Sequence, residues 1–146
     1  MSVPPSTPPF VAEQSDDEAF LRAFEACTLP FAQWTHRCHV RLAWTCLDRH
    51  SFDDALVRVR NGIQRYNRAN DRPGYHETMT VAWVRIVDHV RRAEENPSAD
   101  GRAFCDAHPE LGSSSLVLLY YSRARLFSPA AKAEFLEPDL APALER

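Results

Sequence analysis

The chain has 146 residues, of which 45% are hydrophobic, and this is enough to build one domain around a single core. Its 17 Lys and Arg residues are outnumbered by 20 Asp and Glu residues, so the net charge of −3 argues against a protein that mainly binds nucleic-acid phosphates. The longest apolar run, 116–121, is far shorter than the roughly 20 residues of a membrane span, and the N-terminus lacks the order of a signal peptide. These features predict a cytoplasmic protein that binds neither membranes nor nucleic acid.

The predicted organisation is a Pro-rich arm over 1–14 followed by a single helical domain over 15–146. Prolines at positions 4, 5, 8 and 9 prevent a helix in the arm. Ser15 and Glu18 match a capping box, which predicts a helix over 16–28. Pro30 is expected to open a second helix that continues to residue 49.

The rest of the domain is also predicted to be helical. Ser51 can cap a third helix, whose apolar residues recur at helical spacing from Phe52 to Tyr66. A turn over 70–74 then precedes a helix over 75–94, and a short helix is expected near 99–107. The segment 116–127 is compatible with a helix or a buried strand, and a helix is favoured because an isolated strand would have no partner. Ser128 and Pro129 begin a last short helix through 135, so the predicted fold is an all-α bundle of four to five main helices plus short ones.

The four cysteines do not show the spacing of a zinc site or a redox motif. We therefore expect Cys27, Cys38, Cys46 and Cys105 to be reduced residues of the core.

Two histidines in the second predicted helix are the first candidates for a site. His36 and His39 are three residues apart and therefore share a helix face, which continues through Ala43, Cys46 and Leu47 toward the core. Burying two imidazoles without partners is unfavourable, so a carboxylate, a water network, a ligand or a metal ion must satisfy their ring nitrogens.

A third histidine is expected to point inward from the first turn of the fourth predicted helix. His76 lies at helical spacing from Met79, Thr80, Trp83 and Val87, and the neighbouring Glu77 is favoured by the helix dipole. The sequence thus predicts that His36, His39, His76 and Glu77 bind a single transition metal such as Zn, Fe, Ni or Mn. A metal-free pocket, in which a histidine and Glu77 transfer protons, and a purely structural polar cluster are the alternatives.

Further polar residues are candidates to complete such a pocket. Asn67 is predicted either to cap the third helix or to bind a substrate, and Arg123 either to bind a carboxylate or phosphate or to form a surface ion pair. The candidate catalytic residues are His76, Glu77, Tyr66 and Tyr121. The candidate ligand-binding residues are Trp34, Asn67, Tyr75, Thr78, Thr80 and Arg123.

Several of these residues fall in short motifs: WTHxxH at 34–39, YN at 66–67, GYHETxT at 74–80, YSRxxLFSP at 121–129 and EPDL at 137–140. Together they resemble the motifs of a family of small bacterial helical proteins, and the resemblance covers about residues 20–142. It implies no particular reaction, cofactor or substrate, and it supports the choice of candidate residues.

The function predicted from the sequence is that of an enzyme acting on a small polar molecule, by metal-dependent or His/Glu acid–base chemistry. The alternative is a non-catalytic module that binds a small ligand or a metal. The aromatic content and the Pro-rich arm are compatible with a homodimer.

Overall fold

Every regular element between residues 8 and 141 is helical in the computed structural model, which describes these residues. The predicted all-α, single-domain fold is therefore confirmed. The α-helices in chain order are α1 (Asp17–Glu25), α2 (His36–Arg49), α3 (Phe52–Ala69), α4 (Glu77–Ala93), α5 (Gly101–Ala107), α6 (Arg123–Leu126) and α7 (Pro129–Ala133). Short 3₁₀ turns lie at Ala12–Gln14, Phe31–Gln33, Pro109–Gly112 and Ser114–Leu119. Within the described range, no helix combines the length and the apolar character needed to cross a membrane.

Helix α2 lies at the centre of the domain and contacts α1, α3, α4 and α5. All residues from Val40 to Leu47 are buried, so most of the circumference of this helix is covered by its neighbours. Apolar side chains from the surrounding helices complete the core: Phe20, Phe24, Val59, Ile63, Val87 and Phe104. The position of α2 therefore determines which of its residues can line a site.

A buried ion pair fixes α2 against the N-terminal part of the domain. The Arg41 side chain is only 2% exposed, and its Nε donates to Asp17 Oδ1 at 2.9 Å. Its two terminal nitrogens donate to the carbonyl oxygens of Ala12 and Ser15 at 2.8 and 2.7 Å. The second Asp17 oxygen accepts from the Gly101 amide at 2.8 Å. One salt bridge thus joins α1, α2, the start of α5 and the segment before α1. Each of the three guanidinium nitrogens of Arg41 has a hydrogen-bond partner.

The first two helices begin later than the sequence predicted. Asp16, not Ser15, caps α1, because its side chain accepts from the Ala19 amide while the Ser15 hydroxyl donates to the Ala12 carbonyl. The predicted start of the second helix at Pro30 is also wrong, since this proline opens a single 3₁₀ turn. Thr35 then caps α2 by accepting from the Cys38 amide.

Two of the predicted caps are confirmed. Ser51 accepts from the Asp54 amide at the start of α3, and Ser128 accepts from the Ala131 amide at the start of α7. The last helix is shorter than predicted, since α7 ends at Ala133 and not at residue 135.

The segment 116–127 is neither a continuous helix nor a strand. It comprises the 3₁₀ turn Ser114–Leu119 and the short helix α6. Ser122 interrupts the two because its hydroxyl accepts from the Arg125 amide and starts a new helix. The prediction of one continuous helix over this segment is therefore wrong.

The end of the predicted arm packs against the domain. Ala12 is 3% exposed, and the Gln33 side chain accepts from the Ala12 amide and donates to the Phe10 carbonyl. Residues 1–7 of the arm, and Pro142 near the other end, lie outside the described residues. None of the four cysteines is bonded to another; Cys38, Cys46 and Cys105 are buried, and Cys27 is half-buried.

We predict that Asp17→Ala lowers the free energy of unfolding by about 3 kcal/mol, because it leaves the buried Arg41 guanidinium without its counter-charge. Urea denaturation measures this change. The matched control is Glu18→Ala, which removes an exposed carboxylate that pairs with Arg49 at 2.8 Å and should cost less than about 1 kcal/mol. Equal losses in the two variants would contradict the special role of the buried pair.

Candidate functional site

A cleft of about 550 Å³ lies between α2, α3, α4 and the segment 114–127. The three histidines predicted from the sequence, His36, His39 and His76, all line it. Four of the predicted ligand-binding residues line it as well: Asn67, Tyr75, Thr80 and Arg123. The structure therefore brings together side chains that are up to 87 positions apart in the sequence, from His36 to Arg123.

His36 and His39 each use one ring nitrogen to bind a backbone carbonyl. His36 Nε2 is 2.9 Å from the Leu111 oxygen, and His39 Nδ1 is 2.9 Å from the Thr35 oxygen. Because a carbonyl oxygen can only accept, each of these nitrogens is the donor and carries the proton. His36 Nδ1 and His39 Nε2 then carry the lone pairs, and neither has a hydrogen-bond partner among residues 8–141.

Aromatic rings support these two imidazoles. The His39 ring lies 4.0 Å from the Trp34 ring, which in turn packs on Phe24 at 4.9 Å. The His36 ring meets Trp83 edge-on at 4.5 Å. The apolar contacts fix the ring orientations and reduce the access of water to both rings.

Burial keeps the two imidazoles neutral. It lowers the pKa of His39 to about 4, against a smaller opposing effect of the hydrogen bond to Thr35. It also lowers the pKa of His36, again against the opposing effect of its carbonyl partner Leu111. Both side chains are therefore uncharged hydrogen-bond acceptors at neutral pH.

His76 serves a different purpose from the one predicted. It is the N-cap of α4, since its Nδ1 accepts from the Met79 amide at 3.1 Å. Its Nε2 donates to the Leu126 carbonyl at 2.8 Å, which attaches α6 to the start of α4. Both ring nitrogens are thus engaged with the backbone, so neither has a free lone pair for a metal or a substrate.

The predicted metal site does not fit these residues as they are arranged. Within the described part of the chain, no group of three or more His, Cys, Asp or Glu side chains is placed to hold a metal ion. His36 and His39 each retain a free ring nitrogen, but His76 and Glu77 have other partners. A two-histidine set falls short of the three protein ligands that a catalytic zinc site needs.

Glu77 lies outside the cleft lining and forms an ion pair with Arg60. Arg60 donates through both Nε and a terminal nitrogen, the latter at 2.7 Å, and the Tyr75 hydroxyl donates to the same carboxylate. Burial raises the pKa of Glu77, but the bonds from Arg60 and Tyr75 outweigh this effect and the net shift is downward. Burial and the bond to Glu77 raise the pKa of Tyr75 to about 12. The pair stabilises the start of α4 next to the cleft and gives no support to Glu77 as a base or metal ligand.

Four other predicted residues contribute to packing and lie away from the cleft lining. Tyr66 is fully buried and donates to the Leu29 carbonyl at 2.7 Å, and Trp34 packs beside it. Tyr121 is 1% exposed and donates to the Leu136 carbonyl. Thr78 donates to the Glu134 carbonyl and accepts from the Leu136 amide, so it fixes the chain after α7.

The position of Asn67 in α3 excludes one of its two predicted roles. Asn70 is the C-cap of α3, while Asn67 lies inside the helix and lines the cleft. The cap interpretation of Asn67 is therefore wrong, and the substrate-binding interpretation stays a prediction.

Sequence reasoning missed several lining residues. Trp83 was part of the apolar stripe of α4, which gave no indication that its ring would contact His36. Ser114, Ser115, Leu118 and Phe127 reach the cleft because the segment 114–127 folds back over α4. Their sequence carries no pattern that indicates this contact.

No family model, curated protein or solved structure matches this chain. Its cleft must therefore be interpreted from its own geometry.

We predict that the low pKa of His39 makes stability depend on pH. Because its pKa is about 4 in the folded chain and 6.5 ordinarily, the stabilisation is complete above pH 6.5 and is lost as the pH falls toward 4. The free energy of unfolding should fall by up to about 1.4 kcal/mol per pH unit in this window from His39 alone. Denaturant titrations of the wild type and His39→Leu measure it as the difference between the two slopes.

The control for this experiment is His89→Leu, which changes an exposed histidine of α4. It should leave the slope of the wild type unchanged. A slope in His39→Leu as steep as that of the wild type would contradict the assignment.

We predict that His76→Ala lowers the free energy of unfolding by about 1–2 kcal/mol, because α4 loses its cap and α6 loses its attachment. Amide hydrogen exchange should also become faster at 123–127. Ser51→Ala removes the cap of α3 and should cost about 1 kcal/mol without faster exchange in that segment. Unchanged exchange at 123–127 in His76→Ala would show that the Leu126 bond does not attach α6.

Proposed function

We propose that this protein binds a small organic molecule in the cleft and that the free nitrogens of His36 and His39 accept hydrogen bonds from it. The observation that carries the proposal is that two neutral imidazoles, each with its tautomer fixed by a backbone carbonyl, line one cleft with a free lone pair. Neither nitrogen is among the buried side-chain atoms that lack a partner, so both are accessible from the cleft to a ligand group that donates a hydrogen bond.

The lining of the cleft matches a partly apolar ligand. More than half of the lining residues are aliphatic or aromatic, and they include Ile63, Met79, Trp83 and Leu118. A few polar groups among apolar walls are typical of small-molecule sites, in which the apolar surface contributes affinity and the polar groups give orientation. The volume of about 550 Å³ lies in the ordinary range of such sites.

Binding is better supported than catalysis by His39. A group with a pKa of about 4 is a good acceptor of hydrogen bonds at neutral pH, but it is a weak base. General-base catalysis is most effective when the pKa lies near the working pH.

Acid–base catalysis is the second candidate function, and one observation favours it. The Thr35 carbonyl orients the His39 ring by accepting from Nδ1, which leaves Nε2 for a substrate in the way that a carboxylate orients a catalytic histidine. A bound anion would raise the pKa of His39 and so strengthen it as a base.

A metal-dependent function stays a prediction. It would depend on His36 and His39, since these are the predicted ligands with a free ring nitrogen. Elemental analysis of the tag-free protein, and of a His36→Ala/His39→Ala variant, tests it. About one equivalent of metal in the wild type alone would favour the metal-dependent function over the one proposed.

The test of the proposed function compares a probe that has a hydroxyl donor with its methyl ether, in which this donor is blocked. p-Cresol has an apolar ring and a hydroxyl, and 4-methylanisole has the same ring without the donor. We expect p-cresol to bind about fivefold more tightly, which corresponds to one hydrogen bond of about 1 kcal/mol. NMR titration, followed on the methyl signals of Met79 and Leu118, gives both affinities.

The preference for p-cresol should disappear in His36→Leu/His39→Leu and persist in the control His89→Leu. Cooperative unfolding of the double variant would show that it is folded. If the double variant does not fold, the same titrations are made with the single variant His39→Leu. Absence of methyl shifts with both probes, or an undiminished preference in the folded variant, would contradict the proposal.

A further inference from the structure

The cleft has a single formal charge in its described lining. Arg123, the first residue of α6, is the one Lys, Arg, Asp or Glu residue among the lining side chains. The three histidines of the lining do not offer a second cationic donor to a ligand. His36 and His39 are neutral, and both ring nitrogens of His76 are bound to the backbone. The one formally charged side chain that a ligand meets in this lining is therefore a guanidinium.

Arg123 has no carboxylate partner among residues 8–141. Arg60, by contrast, has a carboxylate partner, since it pairs with Glu77 at 2.7 Å. The neighbouring Arg125 instead donates to the Glu137 carbonyl at 2.6 Å. Arg123 is exposed and lines the cleft, so its guanidinium is available to an acceptor there, and two of its donors match the two oxygens of a carboxylate.

With one cation in the lining, the cleft matches a ligand with one negative charge better than it matches a dianion. The free nitrogens of His36 and His39 are lone pairs, which repel an anion and accept from a hydroxyl or an amine. A dianion such as a phosphate monoester needs several cationic or backbone donors, and the lining offers one cation. An anionic group of a ligand would therefore bind Arg123 of α6, and a hydroxyl or amine would donate to His36 or His39 of α2.

Much of the rest of the lining is apolar, with Met79, Val84 and Leu126 among its residues. An aromatic ring or a branched aliphatic body is the part of a ligand that such walls bind.

We infer that the ligand of the cleft is an organic monocarboxylate with an apolar body and a hydroxyl or amine, its carboxylate bound by Arg123 and its donor bound by His36 or His39. This inference rests on the proposed function and adds the chemical class of the ligand.

The test uses 4-hydroxyphenylacetate and the neutral 4-hydroxyphenylacetamide, which share the ring and the hydroxyl. In the wild type the carboxylate should bind at least about fivefold more tightly than the amide at low salt. The ratio should fall toward one in Arg123→Gln, and also with added salt, since Arg123 is exposed at the edge of the cleft. NMR titration on the Met79 and Leu118 methyl signals measures all affinities.

Arg68→Gln is the matched control, because it removes the same charge from an exposed position of α3 outside the cleft lining. It should retain the ratio of the wild type. Equal binding of the two probes to the wild type, or an unchanged ratio in Arg123→Gln, would overturn the inference.

The p-cresol titration separates the two failures. If p-cresol binds and 4-hydroxyphenylacetate does not bind more tightly than its amide, the ligand class is wrong and the proposed function stands. If p-cresol also leaves the cleft signals unchanged, the proposed function fails and the inference fails with it.

Discussion

The buried guanidinium of Arg41 is the interaction on which the arrangement of this domain depends. A charge that is 2% exposed has to be neutralised, and its other donors have to be satisfied, so Asp17 and the carbonyls of Ala12 and Ser15 are fixed around it. This attaches one face of α2 to α1 and to the segment before it. His39 is two residues from Arg41 and therefore lies on nearly the opposite face of the same helix, toward α3 and α4. The ion pair and the cleft are thus on the two sides of one central helix.

The cleft itself depends on backbone carbonyls as partners for imidazoles. Thr35, Leu111 and Leu126 each accept from one histidine ring, and these three carbonyls come from three separate parts of the chain. In two cases the other ring nitrogen remains free, and in the third it caps α4. The bonds to backbone carbonyls therefore leave two accessible acceptors on His36 and His39 and form one structural joint between α4 and α6. Two neutral histidines, His36 and His39, and one arginine, Arg123, therefore line the same cleft.

Part of this could be predicted from the sequence. The apolar stripe of α3 and the caps Ser51 and Ser128 follow from local patterns, and the three-residue spacing of His36 and His39 correctly places both on one face. The role of His76 could not be predicted, because a histidine that caps a helix is distinguished from one inside its first turn only by the backbone conformation. Tyr66 and Tyr121 illustrate another limit, since a hydroxyl that donates to the distant carbonyl of Leu29 or Leu136 depends on tertiary contacts. The ion pair between Arg60 and Glu77 joins α3 to α4 in the same way.

The tautomers of the cleft histidines test the central claim most directly. A long-range ¹H–¹⁵N correlation spectrum of the imidazole rings near pH 7 distinguishes the two neutral tautomers from the imidazolium form. The account predicts that His36 is protonated at Nε2 and His39 at Nδ1, each with an unprotonated second nitrogen, and that these two nitrogens change their shifts when a hydroxyl-bearing ligand binds. An imidazolium at either position, or the opposite tautomers, would contradict it, because the cleft would then lack the free acceptors on which the proposed function depends.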